Sequence, residues 1–161
     1  MDMTEVHLIC GKVGAGKSTY ATTLARANRA LVLSLDEWTI ELYDHPPTRE
    51  LFDDHVARCS ELMVRLAERL VKLGTEVVLD FGFWKQDFRE TVRRRIERAG
   101  GRPVLHYLDV APEERWKRLQ ARNHDRKDHA YVLSRAEFDE FEGKFESPTE
   151  EEEPLSADLN V

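Results

Sequence analysis

Residues 11–18 read Gly-Lys-Val-Gly-Ala-Gly-Lys-Ser. This is the spacing G-x-x-x-x-G-K-[ST], which suits a loop that cradles phosphate. Gly11, Gly14 and Gly16 keep Cβ atoms out of the loop, so backbone N–H groups can approach an anion closely. Lys17 brings a mobile positive charge for the β and γ phosphates, and Ser18 offers a hydroxyl to Mg²⁺. Val13, Ala15 and Thr19 complete the stretch expected to line a bound nucleotide, while Lys12 occupies the variable part and is expected to be solvated. The flanks fit the pattern. Val6–Cys10 is short and apolar, as a buried strand should be, and residues 19–30 contain helix formers with no Pro or Gly.

Further polar residues fall where strands should end. Leu31-Val32-Leu33-Ser34-Leu35 reads as a strand and runs into Asp36. A carboxylate there suits a general base that takes the proton of an attacking hydroxyl, or a helix cap, or a Mg²⁺ ligand through water. Val77-Val78-Leu79 ends at Asp80, a position suited to holding Mg²⁺ or to forming a strand-end turn. Next comes Phe81-Gly82-Phe83-Trp84, where glycine permits a sharp bend and Trp84 can line an acceptor pocket. Arg89 is the nearest cation to that bend and a candidate to hold an anionic part of the acceptor. Arg118, Arg122 and Arg126 recur every four residues, on one face of a helix. They suit a clamp on polyphosphate, with Arg122 the foremost, or else a solvated basic face.

The elements that must position these groups alternate. Strand and helix signals follow one another along the chain, which predicts a parallel sheet with helices on both faces. In such a sheet the ligand sits at the carboxyl ends of the strands, where the loop, Asp36 and Asp80 meet. The periodicity predicts a long amphipathic helix over 51–73, stopped by Gly74, and an inward face of Phe88, Val92 and Ile96 in the next helix. Residues 37–50, with Pro46-Pro47, predict an interrupted helix. Ser134 to Glu137 forms a capping box for a last helix. The acidic stretch from about 149 to 161 is expected to be a tail, either frayed or adding a short edge strand.

Composition narrows the class. The chain has 161 residues with 41% hydrophobic and 34% charged residues, which predicts one domain spanning 1–161. Apolar runs are too short to span a membrane, and the N-terminus lacks a signal-peptide layout. Cys10 and Cys59 give no disulfide framework, so a reduced, cytoplasmic setting is expected. The net charge of −7 disfavours a general nucleic-acid binder. No obligate protein partner is evident.

Taken together, Gly-Lys-Val-Gly-Ala-Gly-Lys-Ser-Thr, Asp36, Val-Val-Leu-Asp at 77–80 and Arg118-Leu-Gln-Ala-Arg122 resemble the small P-loop kinases grouped with zeta toxins, chloramphenicol phosphotransferase and the kinase module of polynucleotide kinase. The resemblance spans roughly residues 4–150. It implies a three-layer α/β P-loop NTPase fold with a parallel sheet of order 2-3-1-4-5. It also implies ATP and Mg²⁺ as cofactors, a general base at Asp36, and a lid over about 118–133 whose Arg122 and Arg126 close on the nucleotide. The implied activity is transfer of the γ-phosphate to a hydroxyl of a small molecule. A nucleic-acid 5′-hydroxyl kinase, or an ATPase without an acceptor, stays open. Two departures stand out: a weak fifth strand at 155–161, and no familiar acceptor-binding segment between Glu37 and Glu50.

Overall fold

The computed structural model describes residues 3–44, 48–125 and 132–157. Five parallel strands form one sheet: β1 (Glu5–Gly11), β2 (Leu31–Ser34), β3 (Val77–Gly82), β4 (Arg102–Leu108) and β5 (Leu155–Ser156), in the order β2-β3-β1-β4-β5. Between them run α1 (Lys17–Asn28), α2 (Leu35–Tyr43), α3 (Arg49–Lys72), α4 (Gln86–Arg98), α5 (Pro112–Asp125) and α6 (Arg135–Glu142), with a short 3₁₀ turn at Glu150–Glu152. No helix among the described residues is long and apolar enough to cross a membrane.

Strand periodicity builds two cores. Val6, Leu8 and Cys10 of β1 and Val77 and Leu79 of β3 pack with Cys59, Met63, Val64 and Ala67 of α3 and Val92 and Ile96 of α4. The alternate residues, Ile9 and Val78, face Ala21 and Ala25 of α1. Successive side chains on a strand point to opposite faces, so one apolar run serves both layers. The paired strands keep register from Val6↔Val77 through Leu8↔Leu79, then shift, so that Cys10 lies opposite Gly82.

Helix stops at Tyr43 and resumes at Arg49, as the interrupted pattern over 37–50 predicts; the first piece is α2. Ser34 starts it by accepting a hydrogen bond from the Glu37 N–H at 3.5 Å. Pro46 and Pro47 lie outside the described residues. The chain after the last helix does add a fifth strand, with Leu155 opposite His106 and Ser156 opposite Tyr107. The capping box at Ser134 and Glu137 is present, as is the Pro112 start of α5.

One polar cluster interrupts the α1-side core. His7 Nδ1 and His106 Nε2 are 3.0 Å apart, and the Tyr20 hydroxyl lies 2.9 Å from His106 Nδ1. Only one proton fits between the two facing nitrogens, so the two rings cannot both be protonated while this contact holds. Burial, and then the neighbouring His7, push His106 down to about 4 from 6.5. Burial also lowers His7, with the Glu76 carboxylate opposing. The unfolded chain therefore takes up protons first as pH falls below 6.5, and native stability drops with it. We expect an excess loss of about 2 kcal/mol between pH 7 and pH 5 from His106 alone. Urea unfolding at the two pH values checks this: His106→Gln should flatten the difference. An equal loss in the variant would place the acid sensitivity elsewhere.

Candidate functional site

The loop after β1 turns tightly onto α1. Gly14 has φ +79°, and a Cβ there would lie 2.6 Å from the Arg115 carbonyl oxygen, so only glycine fits between loop and α5. No side chain caps α1, and its first turn holds no acidic residue. The amides of Lys17, Ser18 and Thr19 are thus left to an anion, at the positive end of the helix dipole. The Lys17 ammonium donates to the Lys12 carbonyl at 2.8 Å, which holds it at the loop.

Asp80 stands within β3, which runs on to Gly82 and does not end at Asp80 as the sequence suggested, and it faces the α1 side. It is buried, and the Ser18 hydroxyl donates to its Oδ2 at 2.7 Å. One hydroxyl and one carboxylate in contact suit a cation that keeps several waters and phosphate oxygens, as Mg²⁺ does. The described residues hold no cluster of three or more His, Cys, Asp or Glu able to bind a metal ion, so this donor set fits Mg²⁺ with nucleotide and not a protein-only cage. The uncapped amides and the cradle that a Cβ would fill fit the phosphates.

Asp36 occupies the first turn of α2. Ser34 caps that helix, so the Asp36 carboxylate is not used up as the cap. It is solvent-exposed, yet the groups gathered near it thin its hydration. That confinement pushes its carboxyl up; Lys17 opposes, Asp80 reinforces, and Arg122 opposes. Lys17 is pushed down by burial, with Asp80 and then Asp36 opposing. Burial lowers Arg122 too, against Asp36. Two carboxylates and two cations therefore share one field, which is the arrangement that tunes groups for proton and phosphate chemistry.

The arginines divide. Arg118 donates through Nη1 to the Ala15 carbonyl at 3.2 Å and through Nε to Glu114 at 3.2 Å, so it rests on the phosphate loop. Arg122 reaches the Asp36 field from α5. Arg126, with residues 126–131 of the expected lid, lies outside the described residues. Trp84 is half-buried, and its ring meets Phe141 edge-on at 5.1 Å. The bend before it uses Gly82 at φ +81°, where a Cβ would meet the Trp84 indole nitrogen at 3.0 Å.

Arg89 is not at the cleft surface. It is wholly buried. Its Nε and Nη2 donate to Glu152 at 2.6 and 3.0 Å, and its Nη1 donates to the Phe83 and Glu146 carbonyls at 2.9 and 2.8 Å. Placement on the inward face with Val92 and Ile96 explains this, and it leaves the guanidinium no reach toward an acceptor. Removing one partner of such a buried pair costs about 3–5 kcal/mol. Lys12 is not simply solvated either: its ammonium pairs with Glu142 at 3.0 Å.

Arg115 was not singled out by spacing, yet it braces the loop. It is buried, pairs with Glu142 at 2.6 Å, and donates to Val13 and Val110 carbonyls at 3.3 and 2.8 Å. The signal was present, since Arg115 precedes Arg118 and Arg122 by three and seven residues on one helix face. Glu142, far along the chain, carried no local signal.

Likeness to known proteins agrees with this geometry. No curated protein sequence matches the chain. Among solved structures, Kti12 from Chaetomium thermophilum in complex with ADP-AlF3 has 14% identity and a TM-score of 0.70, over 96% of this chain and 89% of that one. A gluconokinase from Sinorhizobium meliloti has 17% identity and a TM-score of 0.65, over 100% and 86%. A chain of the Pnkp1/Rnl/Hen1 RNA repair complex has 16% identity and a TM-score of 0.67, over 89% of this chain but 44% of that one. These likenesses establish a P-loop NTPase-like fold. The profile of the AAA_33 family, an AAA domain, matches residues 6–148. The chain belongs to the AAA_33 family of AAA domains.

Proposed function

We propose that the chain is an ATP- and Mg²⁺-dependent kinase that transfers a γ-phosphate to a hydroxyl group of a small molecule. The observation that carries this is Asp36: a carboxylate left uncommitted by the cap of its own helix, opening on the cleft and coupled to Lys17. A nucleotide switch needs no such group. A phosphotransferase needs a group that takes the proton from the attacking hydroxyl.

Each residue then has a part. The main chain of Gly11, Val13, Gly14, Ala15, Gly16, Lys17, Ser18 and Thr19 binds the phosphates, with Arg118 bracing the loop. Ser18 and Asp80 would hold Mg²⁺, which when bound would spread the negative charge of the β and γ phosphates. Asp36 accepts the hydroxyl proton as the acceptor oxygen bonds to the γ-phosphorus and the bond to the bridging oxygen breaks, releasing ADP. Lys17 and Arg122 stabilise charge on the equatorial oxygens. Trp84 forms one wall of the acceptor pocket. The described residues form a single kinase-like domain; Arg126 of the expected lid lies outside them. On this reading the chemistry is that of the kinases grouped around zeta toxins, chloramphenicol phosphotransferase and polynucleotide kinase, which the motifs resemble.

A small acceptor is favoured over a nucleic-acid 5′-hydroxyl. The helix that carries Asp36 also carries Glu37 and Glu41 and no cation, and the net charge is −7. A polyphosphate backbone approaching that helix would be repelled. The likeness to a chain of an RNA repair complex is the observation that keeps the polynucleotide acceptor as the second reading.

Lys17→Ala should weaken ATP binding by about 10-fold or more in a titration with a fluorescent nucleotide. Unchanged affinity would remove Lys17 from the phosphate site. Asp36→Asn should keep nucleotide affinity but lose ADP release that depends on a hydroxyl acceptor, falling by about 10²–10⁴-fold. Acceptor-independent ADP release that survives the substitution would refute the base. In the active enzyme Asp36 works as the carboxylate, and its confinement raises its proton affinity. Turnover should therefore rise with pH along a limb set above the ordinary carboxylate range, and Asp36→Asn should abolish that limb.

A further inference from the structure

The bend that carries Trp84 is built against backbone preference and held from far along the chain. Gly82 and Phe83 are successive left-handed residues, at φ +81° and +50°. Glycine adopts this readily; a phenylalanine does so only when its surroundings impose it. The ring of Phe83 stacks on Phe81 and Phe88, with centroids 5.3 and 5.5 Å away. Its carbonyl accepts from Cys10 Sγ at 3.4 Å and from Arg89 Nη1 at 2.9 Å.

Arg89 is the centre of that restraint. Its fork binds both oxygens of Glu152, and Nη1 also reaches the Glu146 carbonyl. Glu146 in turn donates its N–H to the Trp84 carbonyl at 2.8 Å. Glu152 is fixed by the Thr149 N–H at 2.9 Å, and its carbonyl accepts from Arg93 Nη1 at 2.7 Å. The carbonyls of two successive residues, Phe83 and Trp84, are thus tied to residues 146–152. Filling the core does not require this. Val92 and Ile96, on the same face of α4, do so with apolar side chains. A buried ion pair is a poor source of stability but a good source of fixed geometry.

We propose that Arg89 and Glu152 are positioning residues for the bend from Asp80 to Trp84, and through it for the Ser18–Asp80 contact and the Trp84 wall of the cleft. Its kinetic consequence rests on the phosphotransferase reading above; its structural consequence does not. The pair acts through backbone carbonyls and touches no substrate. The 3₁₀ turn at Glu150–Glu152 then serves the site from outside it.

The test uses the full chain carrying Trp38→Phe and Trp116→Phe, which leaves Trp84 as the single tryptophan of the three. Two variants are compared in that background. Arg89→Lys keeps the charge but cannot make the fork. Arg89→Met with Glu152→Leu removes both buried charges at similar volume, a change that commonly preserves folding. Circular dichroism and thermal unfolding report folding, and Trp84 emission with acrylamide quenching reports the bend. The expected result is a folded protein whose Trp84 emission shifts to the red and quenches more readily. Where an acceptor supports turnover, kcat should fall by about 10- to 100-fold, since catalytic geometry tolerates little displacement.

Folded variants with parental Trp84 emission and quenching would overturn the proposal. So would loss of folding in both, which would make the pair a requirement of the fold and not of the bend. If one variant folds, it decides. Failure of every acceptor to support turnover would count against the kinase reading alone, because the Trp84 signal is read without turnover.

Discussion

The parallel pairing of β1 with β3 is the constraint on which the site depends. The loop leaves β1, and Asp80 ends the run on β3, so their separation is set by strand register. Register runs evenly to Leu8↔Leu79 and then shifts to Cys10↔Gly82. The extra residue on β3 falls between Leu79 and Gly82, where Asp80 meets Ser18 of α1 and the chain turns out of the sheet. A slip by one residue would send Asp80 to the face of α3 and α4 and leave Ser18 without its carboxylate. The apolar alternation prevents that slip, because it would also expose Val77 and Leu79 to the wrong layer. Core packing and cation chemistry are therefore specified by the same residues.

What was legible in the sequence was mostly what is local. The loop motif, the strand before it and the helix after it lie within one βα unit, and their meaning needs no distant partner. Asp36 and Asp80 were legible because each follows an apolar strand directly. Arg89 was misplaced for the opposite reason. Position 89 falls on the inward face with Val92 and Ile96, which predicts burial, but an arginine is admitted there only with a partner, and Glu152 lies 63 residues away. Lys12 was misjudged likewise, since its partner Glu142 is 130 residues on. Helix α2 begins earlier than the pattern suggests, because Leu35 continues the apolar run of β2 while Ser34 already caps the helix.

Helix α6 gives the long-range contacts a common logic. Its Glu142 binds Lys12 of the phosphate loop and Arg115 of α5. The adjacent Phe141 meets Trp84 and lies 5.1 Å beneath the Arg49 guanidinium at the start of α3. Phe138, buried, packs on Trp116 and under Arg115. One short helix therefore touches both the glycine loop after β1 and the bend that carries Trp84. Its capping box fixes where it begins, and that fixes which residues it presents to each side.

The electrostatics of the cleft follow from concentrating opposite charges where hydration is poor. Asp36 and Asp80 each favour the charged form of Lys17, while burial disfavours it. Without Asp80 and Asp36 the ammonium would bear its confinement uncompensated; without Lys17 the carboxylates would repel each other across the cleft. On the proposed reading, a triphosphate with its cation would bring its negative groups to Lys17 and Arg122 and its cation to Asp80. Asp36 is then the carboxylate left over, raised in proton affinity by the same confinement that serves the others. A base of that kind is strongest where the site is driest. On the proposed reading, an acceptor hydroxyl held against Asp36 would complete that drying and meet the base at its strongest.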